Sequence, residues 1–297
     1  MTDGARIEGV GQVLVTGKGT SGSWQIRGVQ LGGAIGATVK ANATLEDMKR
    51  HDVVILVKRA GPVLAESLRR CGRIVVWDAV DAWRQQPYDQ SSRDELCAWA
   101  WAFARSIGAE AIIGATRRMA SDLGSPYYVP HHGWDRGVGP LADRIHRVGY
   151  EGSPRYISSL LPSIRAACKA IGATFEVNPP DFHGLDVVLA MRGAEWTNYA
   201  SRHWKSGVKL SNAQMAGLPF VAERECGYTE RACGGERWIE SARELTEALR
   251  SLQPKEQRAR MRRNALDGRP RLEACAADMI DVLRSCCRVR SRSVRSR

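Results

Sequence analysis

The stretch VLVTGKGTSGSWQIRGVQLGGAIG, residues 13–36, begins as an apolar run, turns through a glycine-rich loop and continues in a helical pattern. A uniformly apolar run marks a strand covered on both faces, the hallmark of a parallel sheet. Gly17, Gly19 and Gly22 follow it in the spacing G-x-G-x-x-G, which supplies a tight turn into a helix. Such a turn aims backbone N–H groups at an anionic ligand. A nicotinamide dinucleotide also requires an acidic residue about 20 positions on, at the end of the second strand. That strand, ATVKAN (37–42), ends at Lys40 and Asn42 without a carboxylate. The NAD reading therefore lacks its ribose partner, and the loop with Gly19, Ser21, Gly22 and Ser23 is expected to face a phosphate or another anionic group.

The same alternation continues outward from this stretch. DVVILVKR (52–59), RIVVWDAV (73–80) and AEAIIGA (109–115) read as buried strands, and PYYVP (126–130) as a further short one. Helical patterns separate them, among them SRDELCAWAWAFARSIG (92–108), where Trp99, Phe103 and Ile107 fall on one face. HHGWDRGVGPLADR (131–144) breaks the rhythm and reads as a linker. The pattern then restarts with IHRVGYEG (145–152), ATFEVN (173–178), LDVVLAMR (185–192) and LPFVAE (218–223). The expected fold class is thus α/β, with two doubly wound Rossmann-like units. Residues 1–140 form the first, 141–285 the second with a final helix, and 286–297 a disordered basic tail. In doubly wound sheets ligands sit at the carboxyl ends of the strands, so two facing sheets share one cleft.

The chain has 297 residues, 43% hydrophobic and 26% charged, enough for ordinary globular cores. No apolar run approaches the roughly 20 residues of a membrane span, and the first residues show no secretory pattern. The eight cysteines form no C-x-x-C pair and read as reduced thiols of a cytoplasmic protein. The net charge is +12. From Pro254 to Arg297 there are 13 Lys/Arg against 5 Asp/Glu, so most of the excess sits at the C-terminal end. A basic end of this kind fits a polyanion such as DNA.

KSGVKLSNAQMAGLPFVAERECGYTE (205–230) resembles the donor-site segment of GT-B glycosyltransferases, a helix of the K…NA…G.P.V kind followed by a strand and a loop. The resemblance implies two Rossmann-like domains facing across a cleft, with a C-terminal helix crossing back. It further implies that the helix N-terminus receives the donor diphosphate, with Lys205, Lys209 and Asn212 in attendance. Many retaining members carry two glutamates eight positions apart across this helix. Aligned on AGLP, those positions are Trp204 and Asn212, so their roles pass to Glu223, Glu225 or Glu230. Over residues 10–240 the chain is also similar to short phage-encoded glycosyltransferases. That likeness rests on SGSWQIRGVQLG (21–32), VVILVKR (53–59), VVWDAVDAW (75–83), VPHHGWD (129–135) and VGYEG (148–152). It implies a UDP-sugar as donor, the host cytoplasm as location and 5-hydroxymethylcytosine in DNA as acceptor. The alternatives are a glycan or small-molecule acceptor, or a non-catalytic nucleic-acid-binding protein.

Sugar transfer needs a stabilised leaving diphosphate and a base for the acceptor hydroxyl. Arg192, ending LDVVLAMR, and Arg27, one turn into the first helix, are expected at the phosphates. Asp78 and Asp81 at the end of a buried strand are expected bases, with His131 and His132 as the next choice. Trp83 and Trp134 offer faces for a flipped base. No His/Cys spacing for a metal is present.

Overall fold

The computed structural model describes residues 4–83, 85–135 and 137–295. Ten strands form two sheets. The first contains β1 (Val13–Thr16), β2 (Thr38–Val39), β3 (Val53–Val57), β4 (Ile74–Asp78) and β5 (Ala111–Ile113) in the order β2-β1-β3-β4-β5. The second contains β6 (Arg147–Tyr150), β7 (Thr174–Val177), β8 (Val187–Ala190), β9 (Phe220–Ala222) and β10 (Glu236–Trp238) in the order β10-β9-β8-β6-β7. Every pairing is parallel. In each sheet the chain first steps to one side of its opening strand and then crosses to the other. The strand order therefore reverses between β1 and β3, and between β6 and β8, and crevices open at those places.

The first sheet is buried on both faces. Leu14, Val54, Leu56 and Trp77 pack against helix Arg93–Ser106, where Trp99 and Phe103 lie 6.0 and 4.8 Å from the Trp77 ring. Ile107 is fully buried in the same layer. Val13, Val15, Val53 and Ile55 face the other way and meet the last helix, Leu272–Arg295. That helix places Cys275, Met279, Leu283 and Cys286 along one stripe. The end of the chain thus completes the first domain.

Two expectations need correction. PYYVP makes a single parallel bridge, Tyr128 to Gly114, because Pro126 and Pro130 cannot donate to a ladder. The expected disordered tail is helical as far as Arg295. Its apolar stripe runs on through buried Cys286, and Arg290 Nη1 donates to Glu110 Oε1 at 2.7 Å. Residues 296 and 297 lie outside the described residues.

The sequence reading also passed over helix Tyr199–His203. It belongs to the second domain, yet the adjacent Trp204 is fully buried in the first domain's core, 6.2 Å from the Trp83 ring centre. Trp204 Nε1 and Tyr199 Oη both donate to Asp122 Oδ2 at 2.8 Å. Glu230 adds a second tie. Its two oxygens accept from the N–H groups of Arg117 and Arg118 at 2.7 and 3.0 Å, capping helix Arg117–Asp122 across the domain boundary.

Candidate functional site

The loops leaving the carboxyl ends of the two sheets meet around Asp81. Lys58 directly follows β3 at the reversal point, and Asp81 lies three residues beyond β4. Lys58 Nζ is 2.7 Å from Asp81 Oδ1 and Lys205 Nζ is 2.9 Å from Oδ2. Gln85 completes the group: its Nε2 donates to Asp81 Oδ2 at 3.1 Å, and its Oε1 accepts from Lys205 Nζ at 2.8 Å and from Tyr156 Oη at 2.6 Å. Arg59 holds this loop from beneath by donating to the carbonyls of Ala82 and Trp83. Burial by itself pushes the Asp81 carboxyl upward. The charges of Lys205 and Lys58 outweigh it and hold the group well below the usual carboxylate range.

The backbone here is strained. Lys58 has φ 68° and Val80 φ 47°. A β-branched residue in the left-handed region is an outlier, and such strain gathers where a surrounding structure must over-determine a site.

Across the cleft, helix Val208–Met215 begins at Gly207 with no side-chain cap and no acidic residue in its first turn. Gly207 is required by packing: a Cβ would stand 2.1 Å from the Gly227 carbonyl oxygen. The N–H groups and dipole of this turn favour an anion. Lys209 lies in the turn with its Nζ 4.1 Å from the Tyr150 ring centre, and it makes no ion pair among the described residues. Its burial, with the Arg192 charge adding, lowers its pKa well below the ordinary lysine value. Arg192, two residues past β8, is held by Glu225 at 2.6 and 3.3 Å, and both side chains are buried. Arg192 and Lys205 flank one ring, at 5.2 and 5.5 Å from the Tyr156 centroid. Glu223 directly follows β9 beside them, accepts the Arg192 backbone N–H at 3.2 Å, and is pushed up to about 7, chiefly by burial. Together with Thr197, Ser201 and Ile239, Arg192, Glu223 and Glu225 line a hollow of about 180 Å³.

On the first domain, Lys18 and Thr20 of the glycine-rich loop line a hollow of about 510 Å³ with Asn42, Thr44, Pro62 and Ser67. Gly19 takes φ 84°, and around Gly22 the space is open. Ser21 caps the following helix through its Oγ, 3.2 Å from Trp24 N, whereas Ser23 makes no capping bond.

Several expected site residues are occupied elsewhere. Arg27 does not reach the cleft: its Nε donates to Asp78 Oδ2 at 2.6 Å, its Nη1 to the Val129 and Pro130 carbonyls, and both side chains are 1% exposed. Asp78, the last residue of β4, is therefore the counter-ion of a buried arginine, whereas Asp81, three residues on, meets a lysine from each domain. His131 and His132 are buried, and desolvation lowers both pKa values, that of His132 to about 4. His132 Nε2 pairs with Gln30 Oε1 at 2.8 Å. Trp83 is core, 2% exposed, and presents no free face. Trp134 is 43% exposed and lines a separate hollow with Met215, Arg269 and Arg271. Glu230 is the interdomain cap described above. Lys58, Gln85 and Tyr156 were missed. Lys58 was legible as the residue ending a strand at the reversal point; nothing in the sequence pairs Gln85 with Tyr156, 71 residues apart.

No family model matches the sequence, and no curated protein matches it. Solved structures match its shape. Anabaena Alr3699/HepE, in complex with UDP-glucose, superposes with a TM-score of 0.60 at 13% identity, over 95% of this chain and 99% of that one. AviGT4, a glycosyltransferase involved in avilamycin A biosynthesis, gives 0.56 at 14% identity over 93% and 98%. T4 phage BGT, in complex with UDP and Mn2+, gives 0.53 at 10% identity over 93% and 99%. The chain has the GT-B fold.

The two positions aligned above with the glutamates of many retaining members, Trp204 and Asn212, hold packing and linker contacts. Trp204 is the plug in the opposite core. Asn212 Oδ1 accepts from Trp134 N at 2.8 Å and its Nδ2 donates to Glu151 Oε2 at 2.7 Å, tying linker to helix. Among the described residues no three His, Cys, Asp or Glu side chains gather into a metal-binding group, and no helix is long and apolar enough to cross a membrane.

Proposed function

We propose that this protein is a glycosyltransferase that moves a sugar from a nucleoside-diphosphate donor, UDP-glucose or a close relative, to a hydroxyl acceptor. The observation that carries the reading is Lys209: a buried lysine with no ion pair among the described residues, in the first turn of an uncapped helix and beside a second lysine and an arginine. The ammonium form of a lysine buried in that position calls for an anionic partner, and a diphosphate supplies one. Lys205, Lys209 and the helix N-terminus would stabilise the charge that develops on the leaving diphosphate. The Arg192–Glu225 pair would fix the wall of the nucleotide side. Asp81 faces this group from the other domain and is the base: it takes the acceptor hydroxyl proton as the acceptor oxygen bonds to the sugar's anomeric carbon and the bond to the diphosphate breaks.

The acceptor we propose is 5-hydroxymethylcytosine in DNA. Support comes from the resemblance over residues 10–240, from the fold shared with T4 phage BGT and from the +12 charge. The hollow beside the glycine-rich loop has room for one pyrimidine nucleoside, and Lys18 at its edge would meet a phosphate. UDP titration by calorimetry tests the donor half. Incubation with labelled UDP-glucose and hydroxymethylcytosine DNA, followed by nucleoside mass analysis, tests the acceptor half. One hexose added to the modified base is the expected result. Hydrolysis of the donor with no transfer to DNA overturns the DNA assignment, and failure to bind any nucleoside diphosphate overturns the enzyme reading.

A further inference from the structure

We propose that Lys205 is handed over on donor binding: in the free protein it is the counter-ion of Asp81, and it leaves Asp81 for the incoming diphosphate, so that the base is released only when the donor is seated. The inference rests on the donor reading above and adds a coupling to it.

Three observations place Lys205 between two anionic sites. It lies two residues before the uncapped start of helix Val208–Met215, so its side chain springs from the segment that leads into the anion-favouring turn. Its Nζ reaches into the other domain and engages Asp81 Oδ2 and Gln85 Oε1 at 2.9 and 2.8 Å. Its Nζ also shares the Tyr156 ring with Arg192, which places it beside the donor-side cations.

As the free protein stands, Asp81 is a poor proton acceptor. Both oxygens are neutralised by ammonium groups, and the carboxylate is held ionised far below its usual range despite burial. A carboxylate so stabilised has little driving force to take a proton from an alcohol. A diphosphate carries more charge than a carboxylate and would compete for Lys205 by a charge-assisted hydrogen bond. Once Lys205 leaves, Asp81 keeps Lys58 on Oδ1 and the Gln85 amide on Oδ2, and Tyr156 keeps Gln85 in place. The carboxylate thereby stays oriented while its basicity rises.

The test is a mutant cycle read by UDP affinity, with no turnover required. Asp81→Asn removes the competitor for Lys205 and is expected to tighten UDP about tenfold. Lys205→Met weakens UDP and, in its background, Asp81→Asn leaves affinity unchanged. In a Lys58→Met background the tightening persists, since Lys58 stays with the carboxylate in both states. Lys205→Gln, which keeps the hydrogen bond to Gln85 without the charge, repeats the measurement should the methionine variant fold poorly. Equal UDP affinity in wild type and Asp81→Asn overturns the hand-over while leaving donor binding intact. Tightening that survives Lys205→Met also overturns it, because the effect is then plain repulsion between Asp81 and the diphosphate. Absence of UDP binding in the wild type overturns the donor reading itself.

Discussion

Replacing Asp78 and Asp81 separately by asparagine separates a structural carboxylate from a reacting one. The two lie three residues apart at the end of one strand, but their surroundings differ. Asp78 and Arg27 are each 1% exposed and meet at 2.6 Å, with Arg27 Nη1 donating to two carbonyls. Asp78→Asn keeps the shape and strands a buried guanidinium, at a cost of about 3–5 kcal/mol. In a protein of this size each kcal/mol moves Tm by roughly 2–4 °C, so a drop of roughly 6–20 °C is expected. Asp81 is different: Lys58 and Lys205 keep 22% and 14% of their side chains exposed and can turn to water when their partner is neutral. Asp81→Asn should therefore lower Tm less than Asp78→Asn does while lowering kcat by ~10²–10⁴-fold. The assay is thermal unfolding alongside sugar transfer per folded molecule, with the acceptor identified above. A stable but inactive Asp78→Asn, or an Asp81→Asn that turns over normally, would refute the division of labour.

Further outcomes follow from the geometry. Lys209→Met should weaken UDP roughly 10- to 100-fold, the worth of a charge-assisted contact. Because burial lowers the Lys209 pKa, UDP binding to the wild type should take up a proton, seen as a buffer-dependent binding enthalpy that the variant loses. Burial raises the Asp81 carboxyl but Lys205 and Lys58 lower it more, so its stabilisation is present above the unfolded value of about 3.9 and fades as pH falls toward the folded value. Asp81→Asn should thus flatten the acid limb of the stability curve, and an unchanged limb speaks against the ion pairs. Glu230→Ala, which removes the cap on Arg117 N and Arg118 N, should cost about 0.5–2 kcal/mol with transfer per folded molecule preserved. Trp204→Ala should cost about 3–5 kcal/mol, and separate unfolding of the two domains should appear in calorimetry.

The parallel α/β class and the two-domain plan were legible because they rest on local signals. Apolar runs of strand length, separated by helical periods and restarting after 131–144, leave few other architectures. The glycine-rich turn and the helix starting at Gly207 were readable for the same reason: glycine, uncapped starts and neighbouring lysines are properties of short segments. Lys205, Lys209 and Arg192 were singled out because they lie next to such segments. What tertiary structure decided was the partner of each charged group. Asp78 and Asp81 look alike in sequence, and only packing gives one a buried arginine 51 residues away and the other two lysines from different domains. Trp83 reads as a stacking face or, more commonly for a tryptophan, as core; the arrival of Trp204 from the second domain makes it core. The basic C-terminal stretch has the composition of a disordered tail, yet its apolar stripe finds the uncovered face of the first sheet and stays helical there. In each case the sequence determines what a residue is able to do locally. Which ability is used depends on a contact hundreds of ångströms of extended chain away, where burial decides whether a charge needs a partner and long-range packing decides which one it gets.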